Sequence, residues 1–182
     1  FLGFNLHSVL YPVNSKGQFN FVTVLRKKLS TKELSDYSLF ESKDFTANII
    51  SEISKQVVPE TINNLKSIKC FPIFVSSKVH EPKNKNTFII GDAFFALPPT
   101  FAQGASQSIE VAHELYKNLE NEKTQFNAER IKRVRMINMK SKLNYFAFHL
   151  SNPLIIWIRN LIIKKLLKNK KFINNYLGSI YK

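Results

Sequence analysis

The alternation of apolar and polar residues near the start of the chain predicts a β-hairpin. Val, Leu, Phe and Tyr dominate two short runs, 8–13 and 19–26, and residues 14–17 between them are of the types that turns favour. Since proline cannot donate a hydrogen bond to a neighbouring strand, Pro12 indicates that the first strand lies at an edge or ends there. Two further apolar runs, 71–75 and 87–90, also predict strands.

Apolar residues elsewhere recur at helical intervals. Ser30 and Glu33 have the spacing of a capping box and predict the start of a short helix. Apolar positions three and four residues apart predict longer helices over 45–57 and 104–119, and a further helix is predicted over 125–150. A helix is also predicted over 154–167, which is apolar almost all round at first and then carries lysines along one face. Strands therefore come first and helices follow, and this order predicts an α+β fold.

The charge of the chain is concentrated in its last third. The 182 residues include 27 Lys or Arg and 13 Asp or Glu, which gives a formal net charge of +14. Residues 130–182 contain 13 of the basic residues and none of the acidic ones, so the preceding residues are nearly neutral. A basic segment suits a nucleic-acid or anionic membrane surface, but a chain rich in Lys, Asn, Ile and Phe is also what an AT-rich coding sequence produces. The charge alone therefore does not assign a function.

Few residues of the chain could form a metal centre or a disulfide. Cys70 is the single cysteine, which excludes a disulfide framework and a thiolate cluster. The four histidines have no ligand spacing, and we expect them to be surface or core residues; they are His7, His80, His113 and His149.

The apolar run 154–167 is too short and too interrupted for a membrane span, which needs about 20 apolar residues. Two alternatives remain open for this run. Residues 154–171 could make peripheral contact with a membrane surface, or the helix could pack against its own domain, which we favour.

The most informative motif follows the predicted strand 87–90. There the chain reads Gly-Asp, passes through Pro-Pro, and turns at Gly104 into a helical pattern. This order places the Asp92 carboxylate at the end of a strand and, a few residues later, the unpaired N–H groups and partial positive charge of a helix N-terminus. Such a pair suits a ligand that offers both hydroxyl groups and electron-rich carbonyl oxygens.

This motif resembles the second flavin-contacting motif of the class A FAD-dependent monooxygenases, which include p-hydroxybenzoate, salicylate and ubiquinone-pathway hydroxylases. The shared elements are, in order, Gly-Asp-Ala, Pro-Pro-Thr, Gln-Gly-Ala and Ser-Ile-Glu. Residues 7–13 are similar to the family's H-x-V-x-Y-P, and a helix with spaced arginines also agrees with it, at Arg130, Arg133 and Arg135. The resemblance covers most of the chain and corresponds to the C-terminal half of the family's length.

The resemblance implies a role for the matching residues. Asp92 would bind the ribityl hydroxyls of FAD, and the backbone N–H groups of Ala105 and Ser106 would face the pyrimidine edge of the ring. The implied cofactor-binding residues are Gly91, Asp92, Gln103, Gly104, Ala105 and Ser106. The candidates for the substrate pocket are Pro98, Pro99 and Tyr11, and neither a certain catalytic residue nor a metal ligand is assigned.

The activity of the family gives the expected function. NADH or NADPH reduces FAD, and a flavin C4a-hydroperoxide formed with O2 then hydroxylates an aromatic or similar small organic substrate. One alternative keeps the flavin and makes the protein a reductase or epoxidase of an isoprenoid or lipid-like substrate. A module that binds nucleic acid or a membrane through 130–182 ranks last, so no nucleic-acid partner is expected. The expected location is the cytoplasm, with a peripheral position on the inner membrane face left open.

Some residues depart from the family motif. Phe94 and Phe95 stand where the family has Ala and His and could crowd or reshape the flavin site, and Val111 stands where the family has Asp. The G-x-G-x-x-G motif that binds the ADP part of FAD does not occur in the chain. We therefore expect a fragment of a longer protein, and one that does not retain FAD alone. Its predicted parts are a substrate-domain sheet with connecting helices (1–86), the strand-loop-helix that completes the FAD-binding domain (87–122), and basic C-terminal helices (123–182).

Overall fold

A computed structural model of the chain describes residues 1–82, 84, 87–120 and 126–180. These residues form helices together with a two-stranded antiparallel sheet, which agrees with the α+β prediction at this coarse level. The strands are β1 (Leu6–Pro12) and β2 (Phe19–Leu25). The helices are α1 (Thr31–Ser35), a 3₁₀ helix (Tyr37–Glu41), α2 (Lys43–Ser54), α3 (Pro59–Asn63), α4 (Asp92–Phe95), α5 (Gly104–Glu120), α6 (Phe126–Phe148), α7 (Pro153–Leu167) and α8 (Lys170–Gly178).

The chain divides into two compact units. The first unit contains Phe1–Pro72 and Phe146–Lys182, and the second contains Ile73–Tyr145. The division into 1–86, 87–122 and 123–182 concerns the regions of a family fold and stays a prediction. Its boundaries at 86 and at 122–123 lie outside the described residues.

The predicted hairpin at the start of the first unit is confirmed. β1 and β2 pair from Leu6 opposite Leu25 to Pro12 opposite Phe19, so Pro12 is the last residue of its strand. In the turn, the side-chain oxygen Oδ1 of Asn14 accepts the N–H of Lys16 at 3.0 Å. The inward residues of the hairpin pack against the helices that follow it, in a cluster of Leu6, Ile53, Val57, Phe21, Leu25, Ile49 and Ile62.

Local capping explains where the first helices begin. The Ser30 hydroxyl accepts the N–H of Glu33, whose carboxylate accepts the N–H of Ser30 at 2.7 Å, so the predicted capping box is confirmed. The Ser42 hydroxyl caps α2, which begins two residues before the predicted start and ends before Val57. Pro59 is the first residue of α3, a position that suits proline because the first helical N–H has no partner within the helix.

The two further predicted strands, 71–75 and 87–90, are wrong. Neither segment is a strand, and β1 with β2 is the only sheet within the described residues. A strand requires a neighbour that pairs with its N–H and C=O groups. Residues after 75 bond to α4 instead, since the N–H of Ser76 donates to the Ala96 carbonyl at 3.0 Å. Phe71 and Phe74 are 73% and 55% exposed, so the apolar run does not mark a buried strand here.

The second unit is built around α4, α5 and α6. Its core contains Phe94, Phe95 and Val134, with half-buried apolar residues packed against them. α5 and α6 confirm two predicted helices, although the predicted first residue of the second, Gln125, lies outside the described residues. Thr100 Oγ1 donates to the Ser141 carbonyl at 3.1 Å and ties the loop between α4 and α5 to α6.

The last two helices belong to the first unit. α7 confirms the helix predicted over 154–167, and Asn152 caps it by accepting the N–H groups of Leu154 and Ile155. α8 was not predicted, because a nine-residue helix offers too little periodicity. α7 packs against its own unit only through one face, and its other face is exposed. No helix in the described part of the chain has both the length and the apolar character needed to cross a membrane.

Candidate functional site

Gly91 forms the corner that organises the motif in the second unit. Its φ of 63° and ψ of −145° fall in a region that is open essentially only to glycine. A Cβ atom added to Gly91 would lie 3.2 Å from Ser108 Oγ, which shows how closely this backbone approaches α5. The Gly91 carbonyl also accepts the N–H groups of Phe94 and Phe95, both at 3.1 Å. The fold therefore brings the Gly-Asp corner against the first two turns of α5.

Asp92 is the first residue of α4 and is exposed. Its carboxylate makes no hydrogen bond or ion pair with any residue that the structure describes. The sequence predicted that Asp92 would follow a strand, whereas it begins a four-residue helix after an irregular segment. An exposed carboxylate without a partner among the described residues can accept hydrogen bonds from the hydroxyl groups of a ligand.

The N-terminus of α5 presents open backbone donors. Gly104, Ala105 and Ser106 form its first turn, all three are exposed, and their N–H groups have no acceptor among the described residues. A Cβ atom at Gly104 would meet nothing within 4 Å, so the space in front of this turn is free. Unpaired N–H groups and the helix dipole together favour an anion or an electron-rich oxygen at this position.

The loop between α4 and α5 holds the remaining predicted residues. Pro98 is half-buried, Pro99 is exposed and Gln103 is buried. The side-chain nitrogen Nε2 of Gln107 donates to Oε1 of Gln103 at 3.4 Å. Ala102 has a φ of 51°, which is uncommon for a residue with a side chain. A strained residue two positions before the open turn of α5 is consistent with a loop shaped for binding.

Phe94 and Phe95 do not project into the open part of the site. They are 2% and 6% exposed and pack with Val134 in the core of the second unit. Their rings are buried while Asp92 beside them is exposed, and an effect of the two aromatics on a flavin site stays a prediction. Val111, which replaces an Asp of the family, is fully buried.

A buried arginine network fixes the start of α5, and the sequence analysis did not predict it. Arg130 on α6 is 4% exposed and donates to the Gln107 carbonyl at 3.2 Å, to Gln107 Oε1 at 3.0 Å and to Glu110 Oε1 at 3.1 Å. Arg133 donates to both oxygens of Glu110, at 2.8 Å and 3.0 Å. Because both arginines lie on one helix, α6 holds the first two turns of α5 in place.

Two positive charges face two carboxylates in this network, because Arg130 also lies 3.6 Å from Glu114. Burial acts to raise the pKa of Glu110, but the hydrogen bonds from Arg133 and Gln107 and the charges of both arginines outweigh it and lower the pKa. The hydrogen bond to Glu110 raises the pKa of Arg133. Glu110 is therefore ionised at neutral pH and acts as a bridge between the two helices, not as a proton donor.

Two histidines form a second polar cluster, in the first unit. His7 Nδ1 lies 3.3 Å from His149 Nε2, and the two residues are 6% and 3% exposed. Burial, followed by the charge of His149, lowers the pKa of His7 to about 4. Among the described residues, no third side chain joins the pair to complete a metal-binding group. The two rings therefore form a buried hydrogen-bonded pair inside the first unit.

Tyr11 belongs to the first unit, whereas Pro98 and Pro99 belong to the second. Its hydroxyl accepts a hydrogen bond from Asn20 Nδ2 at 2.7 Å, across the hairpin, and the residue is 42% exposed. The structure thus groups the predicted cofactor-binding residues within one unit. The role of Tyr11 in a substrate pocket stays a prediction.

No protein-family model, no curated protein and no solved structure matches the chain. An assignment of function therefore depends on the residues and the geometry described above.

Proposed function

We propose that the chain supplies the ribityl- and ring-binding half of the FAD site of a monooxygenase, in a fold of the FAD-dependent hydroxylase type. The observation that carries this proposal is the close approach of Gly91 to Ser108. It brings the Gly91 backbone, next to the exposed Asp92, against the first two turns of α5, whose first N–H groups are open, within one unit. A carboxylate beside a row of free N–H groups matches the polyhydroxyl chain and the pyrimidine edge of a flavin.

Each residue would have a distinct task. Asp92 would accept hydrogen bonds from the ribityl hydroxyls, and the N–H groups of Ala105 and Ser106 would hold the electron-rich edge of the ring. Gly104 leaves room for a flat ring because it has no side chain. Pro98 and Pro99 stiffen the loop and lack N–H donors that would compete for the ligand.

The residues present fit only part of FAD. The chain has no G-x-G-x-x-G segment for the ADP part, so other residues must supply that half of the site. A bound FAD would supply the redox and oxygen-activating chemistry, with NADH or NADPH as reductant and O2 as co-substrate. The contribution of this chain is to bind and orient the flavin and to shape the substrate side through the Pro98–Pro99 loop. We propose an aromatic or similar small organic molecule as the substrate.

A second candidate function is a flavin-dependent reductase or epoxidase that acts on an isoprenoid or other lipid-like substrate. The exposed apolar face of α7 favours it, because such a face suits a protein that works beside lipids. Oxygen consumption distinguishes the two candidates. A monooxygenase consumes O2 when its substrate is added, whereas a reductase does not.

Flavin binding by matched variants tests the proposal. We expect FAD added to the chain to bind too weakly to be retained through purification, and titration followed by flavin fluorescence measures this binding. Replacing Asp92 by Asn should weaken FAD binding by about 10- to 100-fold, the usual range for a lost charge-assisted hydrogen bond. The matched control is Asp44→Asn, which neutralises another exposed carboxylate in the first turn of a helix, in the first unit.

Two results would contradict the proposal. One is stoichiometric flavin retained by the 182-residue chain alone, because the chain would then not need another half-site. The other is an Asp92→Asn variant that binds FAD as tightly as the Asp44→Asn control.

A further inference from the structure

α7 presents an apolar face to the outside of the molecule. Six large apolar side chains on this helix are between 43% and 66% exposed: Leu154, Ile155, Trp157, Ile158, Leu161 and Ile162. At 100° per residue they fall on one side of the helix and form a continuous stripe over its first turns. Single exposed apolar residues are ordinary, but a contiguous stripe of this kind indicates an interaction surface.

The orientation of this stripe is fixed by buried contacts on the opposite side of α7. Arg159 is 7% exposed, and its guanidinium donates to the Ala147 carbonyl at 3.0 Å and to Asn160 Oδ1 at 3.1 Å and 2.9 Å. Asn152 caps the first turn of the helix. A buried cation bonded to the end of α6 prevents rotation of α7, so the apolar stripe is a permanent feature of the first unit.

Five lysines follow the stripe in the sequence, between the last turns of α7 and the first turn of α8. They are all exposed and form no ion pair with a described residue: Lys164, Lys165, Lys168, Lys170 and Lys171. No acidic residue occurs anywhere in 130–182, so these charges are not offset by neighbours in sequence. A partner for this surface must therefore combine an apolar interior with negative charge.

We propose that the stripe and the five lysines dock the chain onto a bilayer that contains anionic lipids, with α7 lying in the plane of the interface. Leucine, isoleucine and tryptophan would enter the boundary between headgroups and acyl chains, and the lysines would reach the lipid phosphates. This proposal is independent of the flavin site, because every residue that it uses lies in the first unit.

The chemistry of the surface favours lipid over the other occupants. Protein–protein interfaces are depleted in lysine at their centres, whereas basic residues next to an apolar helix face are typical of membrane-surface helices. Binding of single-stranded nucleic acid depends on open aromatic rings among the cations. Trp157 is the one exposed aromatic residue of α7 and α8, since Phe172 and Tyr176 are half-buried and stack on each other. A tryptophan at the rim of an apolar face also suits the headgroup region of a bilayer.

The experiment uses Trp157, which is the only tryptophan of the chain. The chain is titrated with vesicles of phosphatidylcholine alone and with vesicles of equal parts phosphatidylcholine and phosphatidylglycerol. We expect the mixed vesicles to shift the Trp157 emission to shorter wavelength, and lipids with brominated acyl chains to quench it. We expect much weaker binding to phosphatidylcholine alone and a loss of binding as the salt concentration rises.

Matched variants separate charge from apolar contact. Each lysine near an anionic surface strengthens binding roughly fivefold, so Lys164→Gln, Lys165→Gln and Lys168→Gln together should weaken binding by about 100-fold. The control removes three exposed lysines elsewhere in the first unit, with Lys32→Gln, Lys43→Gln and Lys55→Gln, and should change binding much less.

For the apolar part, Ile158→Asn with Leu161→Asn should weaken binding by about 10-fold or more. Its control is Ile109→Asn with Leu119→Asn, which replaces residues on α5 that are 74% and 60% exposed. Circular dichroism checks that all four variants remain folded.

Several outcomes would overturn the proposal. The first is a Trp157 emission that mixed vesicles do not change. The second is a shift that depends on protein concentration without lipid, which would assign the face to a second copy of the chain. The third is a lysine variant and a lysine control that weaken vesicle binding equally. Tight RNA binding in the absence of vesicle binding would assign the surface to nucleic acid instead.

Discussion

Replacement of Arg130 by methionine tests the arginine network that fixes the start of α5. Methionine fills most of the space of the arginine stem but cannot donate to Gln107 or Glu110, so three hydrogen bonds are lost. Breaking a buried ion pair costs about 3–5 kcal/mol when the remaining charge is left without a partner. Here Arg133 still donates to both oxygens of Glu110, and the side chain of Glu114, which loses its 3.6 Å ion pair with Arg130, is 42% exposed and open to water.

We therefore expect Arg130→Met to lower the free energy of unfolding by about 2 kcal/mol, below the range for a fully broken pair. The control is Arg135→Met on the same helix. Arg135 is exposed and forms no hydrogen bond or ion pair with a described side chain, so its replacement should change the free energy of unfolding by no more than about 0.5 kcal/mol. Urea unfolding followed by circular dichroism measures both values, provided that the slope with denaturant is unchanged.

A double-mutant cycle that combines Arg130→Met with Glu110→Gln isolates the interaction between Arg130 and Glu110. Residues within one hydrogen-bonded network show coupling free energies of about 0.5–3 kcal/mol. Equal stabilities of Arg130→Met and Arg135→Met, or a coupling near zero in the cycle, would refute the argument that α6 holds the first turns of α5 through this arginine.

Three further predictions concern single positions. Gly91→Ala forces a side chain into a glycine-only conformation and against Ser108, so we expect a loss of about 2–3 kcal/mol in the free energy of unfolding. The control is Gly178→Ala, which has no atom near its Cβ and should be neutral or stabilising. Equal effects of the two variants in denaturant titrations would contradict this prediction. Ala102→Gly relieves the strain of a residue whose backbone is in the left-handed region. The free energy of unfolding of this variant should be about 1 kcal/mol higher than that of Ala128→Gly, at an exposed position of α6, and thermal unfolding measures the difference. His7 has a pKa lowered from 6.5 to about 4, so the unfolded chain binds a proton that the folded chain does not, and stability should fall as the pH falls from about 6.5 to 4. The full pKa shift of His7 corresponds to about 3 kcal/mol in the free energy of unfolding, and screening by nearby solvent reduces the expected loss of stability to about 1–2 kcal/mol. His7→Gln should remove this pH dependence, and exposed His80→Gln should preserve it; a wild-type stability that is flat over this interval would show that His7 is not buried in its neutral form.

Elements whose signals are local could be predicted from the sequence. The hairpin follows from turn residues between two alternating runs, and α1 follows from Ser30 and Glu33, three residues apart. α5 was predicted because its 17 residues have enough turns to show the helical period. α6 and α7 are also long, with 23 and 15 residues, but their apolar residues are spread around the helix and show little periodicity. The two wrong strands have the apolar composition of strands, but pairing depends on a neighbour that may lie anywhere in the sequence, and local composition does not reveal it.

The arginine network could have been found from the sequence, and the histidine pair could not. Gln107 and Glu110 lie three residues apart on one predicted helix, and Arg130 and Arg133 have the same spacing on the next. Two helices joined by a short connection tend to pack side by side, so complementary charges at matching intervals were a usable signal. His7 and His149 are 142 positions apart, and no spacing relates them.

The motif itself shows how a correct choice of residues can accompany a wrong local structure. The sequence placed Asp92 after a strand because apolar residues precede it, yet those residues do not pair with another segment. What positions Asp92 is the left-handed conformation of Gly91, which permits the backbone to approach Ser108. A glycine in this position allows such a corner but does not demand it, because glycine also adopts ordinary conformations. Contact with α5 decides between them, so the candidate site depends on a tertiary contact that the residues at 91 and 92 do not encode alone.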